Sequence, residues 1–121
     1  MIETAEALEN LAEIMSTPGV DAVYIGPADL AYALGLKPTG DNNEPKHVET
    51  VTRILETAKK HGIAAGIHTG SVDYSRRYIE QGFHMVTLGI DKTFMERLAR
   101  KELRMVREGT GADEVESAGF Y

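Results

Sequence analysis

Two acidic residues in this sequence each follow a short apolar segment. Glu3 comes after Met1-Ile2, and Asp29 ends the segment Tyr24-Ile25-Gly26-Pro27-Ala28-Asp29. In α/β folds the carboxyl ends of parallel strands carry the chemistry. Carboxylate oxygens are preferred ligands of hard cations, and the sequence contains no cysteine that would favour a softer metal. The pair therefore predicts a site for Mg²⁺ or Mn²⁺ that Glu3 and Asp29 share.

The elements that would position these acids alternate between helix and strand. Apolar strands are predicted at residues 22–25, 63–67 and 85–90. The spacing of apolar residues predicts one helix that Thr4 caps and that stops at residues 16–19, a short turn at residues 29–34, and helices at residues 46–61, 72–81 and 92–107. Strands that are joined by helices in this way pair in parallel.

The length of the chain indicates that the predicted α/β fold is only part of a barrel. Its first strand would contain only residues 1–3, and its 121 residues are about half of the roughly 250 that a complete barrel needs. We therefore expect the C-terminal half of a (β/α)₈ TIM barrel that begins within its fifth strand. Residues 1–108 would form this partial domain, and residues 109–121 would form a small, acidic and mobile tail.

Composition narrows the partners and the compartment. The net charge of −6 disfavours a nucleic acid or an anionic membrane as partner. No apolar run approaches the roughly 18 residues that a membrane helix needs, and the N-terminus lacks the basic start and apolar stretch of a signal peptide. Because the absence of cysteine also fits a reducing compartment, a cytoplasmic location is expected.

Several segments of the sequence carry a resemblance to a known family. In chain order they are Ile2-Glu3-Thr4, residues 20–30, Gly66-Ile67-His68, residues 78–83 and residues 86–91. Together they resemble the HpcH/HpaI aldolase/citrate lyase family, and the Gly-Pro-x-Asp-Leu segment that ends at Leu30 is the most specific of them. The resemblance implies a metal-dependent class II aldolase on a TIM barrel. Such a lyase cleaves 4-hydroxy-2-oxo acids to pyruvate, or a related oxo acid, and an aldehyde.

The resemblance also implies roles for individual residues. Glu3 and Asp29 match the two ligands of a divalent cation, which would be Mg²⁺, Mn²⁺ or Co²⁺. Gly26-Pro27-Ala28 matches the loop whose backbone lies against the pyruvate carboxylate, and His68 matches a position that borders the substrate pocket. The family's catalytic histidine and arginine have no matching residue here, so no catalytic residue is assigned. The resemblance further implies a homo-oligomer.

Simpler interpretations of the same residues stay open. Glu3 is also typical of a solvated N-terminal residue, Asp29 of an N-cap for the turn that follows it, and His68 of a loop histidine. The amides of Gly70-Ser71 could bind an anion at a helix N-terminus, although an ordinary N-cap is the expected role of Ser71. The other histidines are expected at surface or capping positions: His47, His61 and His84.

Two other functions also stay open. A half-barrel exposes the edges of its sheet, and such edges pair readily with another chain, so this chain could be a non-catalytic assembly or metal-binding module. The missing histidine and arginine favour that alternative for the isolated chain. An activity like that of citrate lyase or malyl-CoA lyase ranks lower, because the sequence has no obvious CoA-binding segment.

Overall fold

The computed structural model describes residues 1–110, in which helices alternate with strands. The elements are α1 (Ala5–Glu9), α2 (Leu11–Ser16), β1 (Ala22–Ile25), α3 (Pro27–Ala33), α4 (Pro45–His61), β2 (Ala64–Thr69), α5 (Val72–Gln81), β3 (Met85–Leu88) and α6 (Asp91–Thr110). This order agrees with the predicted alternation.

The three strands form one parallel sheet in the order β1-β2-β3. A further strand position precedes them, because Ile2 makes a parallel bridge with Ile25 and its N–H donates to the Tyr24 carbonyl at 2.9 Å. The strands thus lie side by side in chain order, without the reversal that marks a doubly wound sheet. This sequential order is that of a (β/α)₈ barrel wall, and the predicted parallel strands alternating with helices are confirmed.

The face of the sheet that packs against helices forms the core. Side chains alternate between the two faces along each strand, so Ile25, Ile67 and Val86, which pair across the sheet, lie on the same face. They pack with buried helix residues such as Leu30 and Val51. The opposite face of the sheet carries Tyr24, Gly66 and Met85 in one row and His68 and Thr87 in the next.

The first predicted helix is two helices. It begins as predicted at Thr4, whose Oγ1 accepts a hydrogen bond from the Ala7 N–H at 3.1 Å. Asn10 then interrupts it with φ −103° and ψ 21°, and its side-chain amide donates to the Glu6 carbonyl at 2.9 Å. Asparagine competes for backbone groups in this way, which the apolar spacing of the segment does not reveal.

Local stereochemistry explains most shifts in the predicted boundaries. α3 begins at Pro27 rather than at residue 29, because the fixed φ of proline suits the first helical position. β3 ends at Leu88 rather than at residue 90, because Gly89 takes a φ of 61° that a strand does not accommodate. β2 extends beyond its predicted end at Ile67 to Thr69.

The described residues fall into two units. One is Met1–Gly89, and the other starts at Ile90 and contains α6. α6 continues beyond its predicted end at Arg107 to Thr110, and residues 111–121 of the predicted tail lie outside the described residues. The assignment of residues 1–108 to one partial domain stays a prediction. None of the helices within residues 1–110 combines the length and the apolar composition that a membrane span requires.

Candidate metal and substrate site

The two predicted metal ligands converge at Gly26. The bridge between Ile2 and Ile25 places Glu3 beside Gly26, and Asp29 follows in the first turn of α3. A Cβ atom built on Gly26 would lie 2.6 Å from Glu3 Oε2 and 3.4 Å from Asp29 Oδ2. The distance between Glu3 Oε2 and Asp29 Oδ2 therefore cannot exceed the sum of these two distances. The structure brings both carboxylates to the same glycine, and their role as a ligand pair stays a prediction.

The surroundings of the two carboxylates favour a cation between them. Asp29 is exposed and Glu3 is half-buried, and neither forms an ion pair within residues 1–110. Two like charges at this separation repel each other, and a bound cation would replace the repulsion with attraction. The N-cap of α3 is Gly26, without a side-chain cap. The alternative role of Asp29 as an N-cap is therefore wrong, although its charge suits the first helical turn.

The donor set fits a hard divalent cation that keeps several water or substrate ligands. Within residues 1–110, no group of three or more His, Cys, Asp or Glu side chains is arranged to hold a metal ion. Two carboxylates are nevertheless a common protein contribution to a Mg²⁺ site, because that ion retains waters and binds oxygen atoms of the substrate. The pair does not resemble the closed four-ligand set of a structural zinc site.

His47 contacts the backbone of the predicted substrate loop, Gly26-Pro27-Ala28. This side chain is fully buried, and its Nε2 lies 3.1 Å from the Pro27 carbonyl. The predicted surface or capping role of His47 is therefore wrong. It lies on the apolar stripe of α4, four residues before Val51 and seven before Ile54, and that spacing was the signal for its burial.

The contact with Pro27 also fixes the tautomer of His47. A carbonyl oxygen can only accept, so Nε2 carries the proton and the buried Nδ1, which has no partner within the described residues, carries a lone pair. Protonation of Nδ1 would place an unpaired charge in the core. Burial accordingly lowers the pKa of His47 below the ordinary 6.5, and the hydrogen bond to the Pro27 carbonyl opposes this shift in part.

The stability of the fold is expected to decrease as the pH falls below about 6.5. The unfolded chain then binds a proton on residue 47 that the folded chain does not, so the free energy of unfolding falls by at most about 1.4 kcal/mol per pH unit until the lowered folded-state pKa is reached. Urea unfolding of the wild type and of His47→Gln from pH 5 to pH 8 measures this slope. The exposed His61 on the same helix supplies the control, and a wild-type slope retained in His47→Gln but lost in His61→Gln contradicts the assignment.

His68 belongs to a polar chain on the sheet face opposite the core. Its Nδ1 lies 2.8 Å from Thr87 Oγ1, and the Tyr24 hydroxyl lies 2.6 Å from the same oxygen. The prediction placed His68 in a substrate pocket and named neither partner. Tyr24 and Thr87 could have been found from the alternation of side chains along adjacent strands. Once the strand register is known, this alternation places Tyr24, His68 and Thr87 on one face of the sheet.

The turn before α5 does not offer a free anion site. The Gly70 N–H donates to Asp41 Oδ1 at 2.8 Å, so a carboxylate of the chain itself occupies that amide. Ser71 is the N-cap of α5, and its hydroxyl accepts from the Tyr74 N–H at 3.4 Å. The expected capping role of Ser71 is confirmed.

Comparison with known proteins identifies the family. The family model described as HpcH/HpaI aldolase/citrate lyase matches residues 1–97. This chain belongs to that family. The family is named for aldolases and citrate lyase, and its curated relatives carry aldolase names, so the chain is related to enzymes, as the resemblance implied.

Two curated relatives carry aldolase names. The chain is 39% identical over 107 residues to a hydroxypyruvate/pyruvate aldolase of Rhizorhabdus wittichii, covering 88% of this chain and 43% of the relative. It is 36% identical over 98 residues to a 4-hydroxy-2-oxo-heptane-1,7-dioate aldolase of Escherichia coli, covering 81% of this chain and 37% of the relative. The HpcH/HpaI chain thus spans about two fifths of the length of these relatives.

A solved structure shows the same arrangement of elements. An HpcH/HpaI aldolase/citrate lyase family protein from Burkholderia cenocepacia matches with a TM-score of 0.81 at 36% identity, covering 88% of this chain and 40% of the other. The sequential parallel strands of this chain are therefore part of the HpcH/HpaI barrel fold.

Proposed function

We propose that this chain forms the metal-binding part of an aldolase that cleaves 4-hydroxy-2-oxo acids to pyruvate, or a related oxo acid, and an aldehyde. The observation that carries the proposal is the convergence of Glu3 and Asp29 over Gly26, at the carboxyl end of the sheet. The names of the two curated relatives, both aldolases, support the reaction class.

In this proposal Glu3 and Asp29 would hold Mg²⁺, Mn²⁺ or Co²⁺. A cation bound there supplies Lewis-acid stabilisation of the negative charge that aldol cleavage leaves on the oxo-acid oxygen. Gly26 has no side chain of its own, so the Glu3 and Asp29 carboxylates and an ion that they hold can lie close to its backbone. The N–H groups of Ala28 and Asp29, in the first turn of α3, have no carbonyl partner within the helix and can donate to the substrate carboxylate.

The proton transfer of the reaction needs a basic group, and no residue of this chain matches the catalytic histidine of the family. Cleavage requires a base for the 4-hydroxyl proton, and a cationic side chain would add stabilisation of the oxyanion. We therefore assign binding of the oxo acid to residues 1–97, and no catalytic residue among them. Homo-oligomeric assembly and a cytoplasmic location stay predictions.

Deuterium exchange into the methyl group of pyruvate, followed by proton NMR, tests the proposal without knowledge of the aldehyde. Exchange is expected with Mn²⁺ or Mg²⁺ and not with EDTA, because a cation on the oxo acid acidifies the methyl group enough for a base from the buffer to remove its proton. Glu3→Gln and Asp29→Asn are each expected to reduce the exchange and the Mn²⁺ affinity by about 100-fold. Loss of a residue that only supports a metal ligand already reduces affinity by about 10- to 100-fold, so loss of a ligand should reach the upper value. The matched control is Glu9→Gln, an exposed acid at the end of α1. Exchange that persists in EDTA or in both variants contradicts the proposal.

The alternative is a non-catalytic metal-binding or assembly module. The edge strand β3 favours it, since Met85 is 54% exposed and Leu88 is 38% exposed. A folded sample that binds Mn²⁺ through Glu3 and Asp29 but shows no exchange supports this alternative over the aldolase. Its mass in solution would then exceed that of one chain, since the module acts by association.

A further inference from the structure

A row of four residues crosses the carboxyl end of the sheet. Ile2 pairs with Ile25, which pairs with Ile67, so the next residue on each strand begins the same row. The row consists of Glu3, Gly26, His68 and Thr87, and the last two are paired directly. His68 thus lies two strand positions from Glu3, about 10 Å across a parallel sheet, with only the bare backbone of Gly26 between them.

The hydrogen bonds of His68 fix its ring. Thr87 Oγ1 has a single proton and two neighbours, His68 Nδ1 at 2.8 Å and the Tyr24 hydroxyl at 2.6 Å. If Tyr24 donates to Thr87 and Thr87 donates to Nδ1, both hydroxyl protons are used. If an Nδ1–H donated to Thr87 instead, the Thr87 proton would have no acceptor within residues 1–110. In the opposite direction the Tyr24 proton would have no acceptor within residues 1–110.

The chemistry of the three groups selects the first direction. A phenol is more acidic than an aliphatic alcohol and is the better donor, whereas the imidazole lone pair of His68 is the strongest acceptor of the three. The chain from Tyr24 through Thr87 to Nδ1 therefore places the ring proton of the neutral imidazole on Nε2. The two ring nitrogens are separated by Cε1 and their hydrogen-bonding directions diverge, so Nε2–H is directed away from Thr87 Oγ1.

We propose that Tyr24 and Thr87 are positioning residues that hold His68 as a fixed Nε2–H donor for an oxygen of the substrate beyond its 2-oxo acid group. This inference rests on the proposed function, since the cation at Glu3 and Asp29 would hold the oxo acid end. The separation of about 10 Å between the Glu3 and His68 strand positions would be spanned by the ion, the oxo acid group and the intervening carbons. The group that His68 recognises is an acceptor such as a distal carboxylate, carried by the part of the substrate that leaves as the aldehyde.

The tautomer is tested by long-range ¹H–¹⁵N NMR of the histidine-labelled chain in mildly alkaline buffer. His68 is expected to show a protonated Nε2 and an unprotonated Nδ1, and His68→Leu identifies its signals. Thr87→Val, which keeps the shape and removes the hydroxyl, is expected to give a mixture of both tautomers. Thr52→Val, at an exposed position of α4, is the matched control. A protonated Nδ1 in the wild type, or an unchanged tautomer in Thr87→Val, overturns the assignment.

The recognition is tested by binding of pyruvate and of 2-oxoadipate, which adds a distal carboxylate, in the presence of Mn²⁺. His68→Leu is expected to weaken the binding of 2-oxoadipate by about tenfold or more, the effect of losing a hydrogen bond to a charged group. Thr87→Val is expected to weaken it by a smaller factor, because part of the His68 population keeps its proton on Nε2. Both variants are expected to leave the pyruvate and Mn²⁺ affinities unchanged. Equal losses for both acids, or none for 2-oxoadipate, overturn the inference. Mn²⁺ that binds equally well to Glu3→Gln indicates instead that the proposed function has failed, and the NMR result is independent of that outcome.

Discussion

Replacing Gly26 with alanine is expected to weaken Mn²⁺ binding by about 10- to 100-fold, the range for disturbing the positioning of metal ligands, and to leave the fold intact. The new Cβ would lie 2.6 Å from Glu3 Oε2, closer than real Cβ contacts, and 3.4 Å from Asp29 Oδ2. Glu3 relieves the clash by moving its carboxylate, which is the free end of a flexible side chain. The ligand pair is then separated although both acids are still present.

The backbone at Gly26 accepts alanine, so its stability provides an internal check. Its φ of −92° and ψ of 98° are extended values that any residue adopts. Mn²⁺ titration by electron paramagnetic resonance measures the affinity, and urea unfolding reports the fold. Gly40→Ala is the matched control, because a Cβ at Gly40 meets nothing within 4 Å. Unchanged Mn²⁺ affinity in Gly26→Ala would show that the two carboxylates do not bind one ion over this residue.

The sequence predicts which residues form this site better than it predicts how they are arranged in space. The strand-like segment before Gly26 and the acids at its two sides are local patterns, so Glu3 and Asp29 could be named from the residues alone. Their convergence depends on the pairing of Ile2 with Ile25, a contact between segments distant in the chain. Periodicity gives the face on which a side chain lies but not which strand is its neighbour.

The same limit explains what the sequence missed. His47 is expected at a surface or capping position because it falls near the start of a predicted helix. Its hydrogen bond to Pro27 instead joins two helices that no local pattern connects. In the sequence Tyr24 and Thr87 have the pattern of ordinary strand residues, and only the strand register shows that Thr87 Oγ1 contacts both Tyr24 and His68. Polar partners across a sheet are fixed by tertiary pairing, whereas helix caps such as Thr4 depend on neighbours within one turn and were predicted.

The sheet also contains a glycine whose replacement is expected to be costly for a different reason. Gly66→Ala in β2 should decrease the free energy of unfolding by about 1–3 kcal/mol, the usual penalty for overpacking. A Cβ there would lie 2.7 Å from Tyr24 Cδ2 and 3.3 Å from the Met85 carbonyl oxygen. The Met85 oxygen belongs to the paired backbone of β3, and the Tyr24 ring is held by its hydroxyl contact with Thr87, so neither moves freely.

The direction of this effect follows from two opposing terms. Alanine in place of glycine restricts the unfolded chain, which by itself stabilises a protein by about 0.4–1 kcal/mol where the folded backbone accepts it. At Gly66 the clash exceeds that gain, whereas Gly40→Ala meets no atom and should be neutral or slightly stabilising. Urea unfolding of both variants, and of Gly66→Ala combined with Tyr24→Leu, separates the two terms. If the ring is the obstacle, the penalty shrinks when Tyr24 is replaced, and a penalty that stays the same would locate the strain at the Met85 backbone instead.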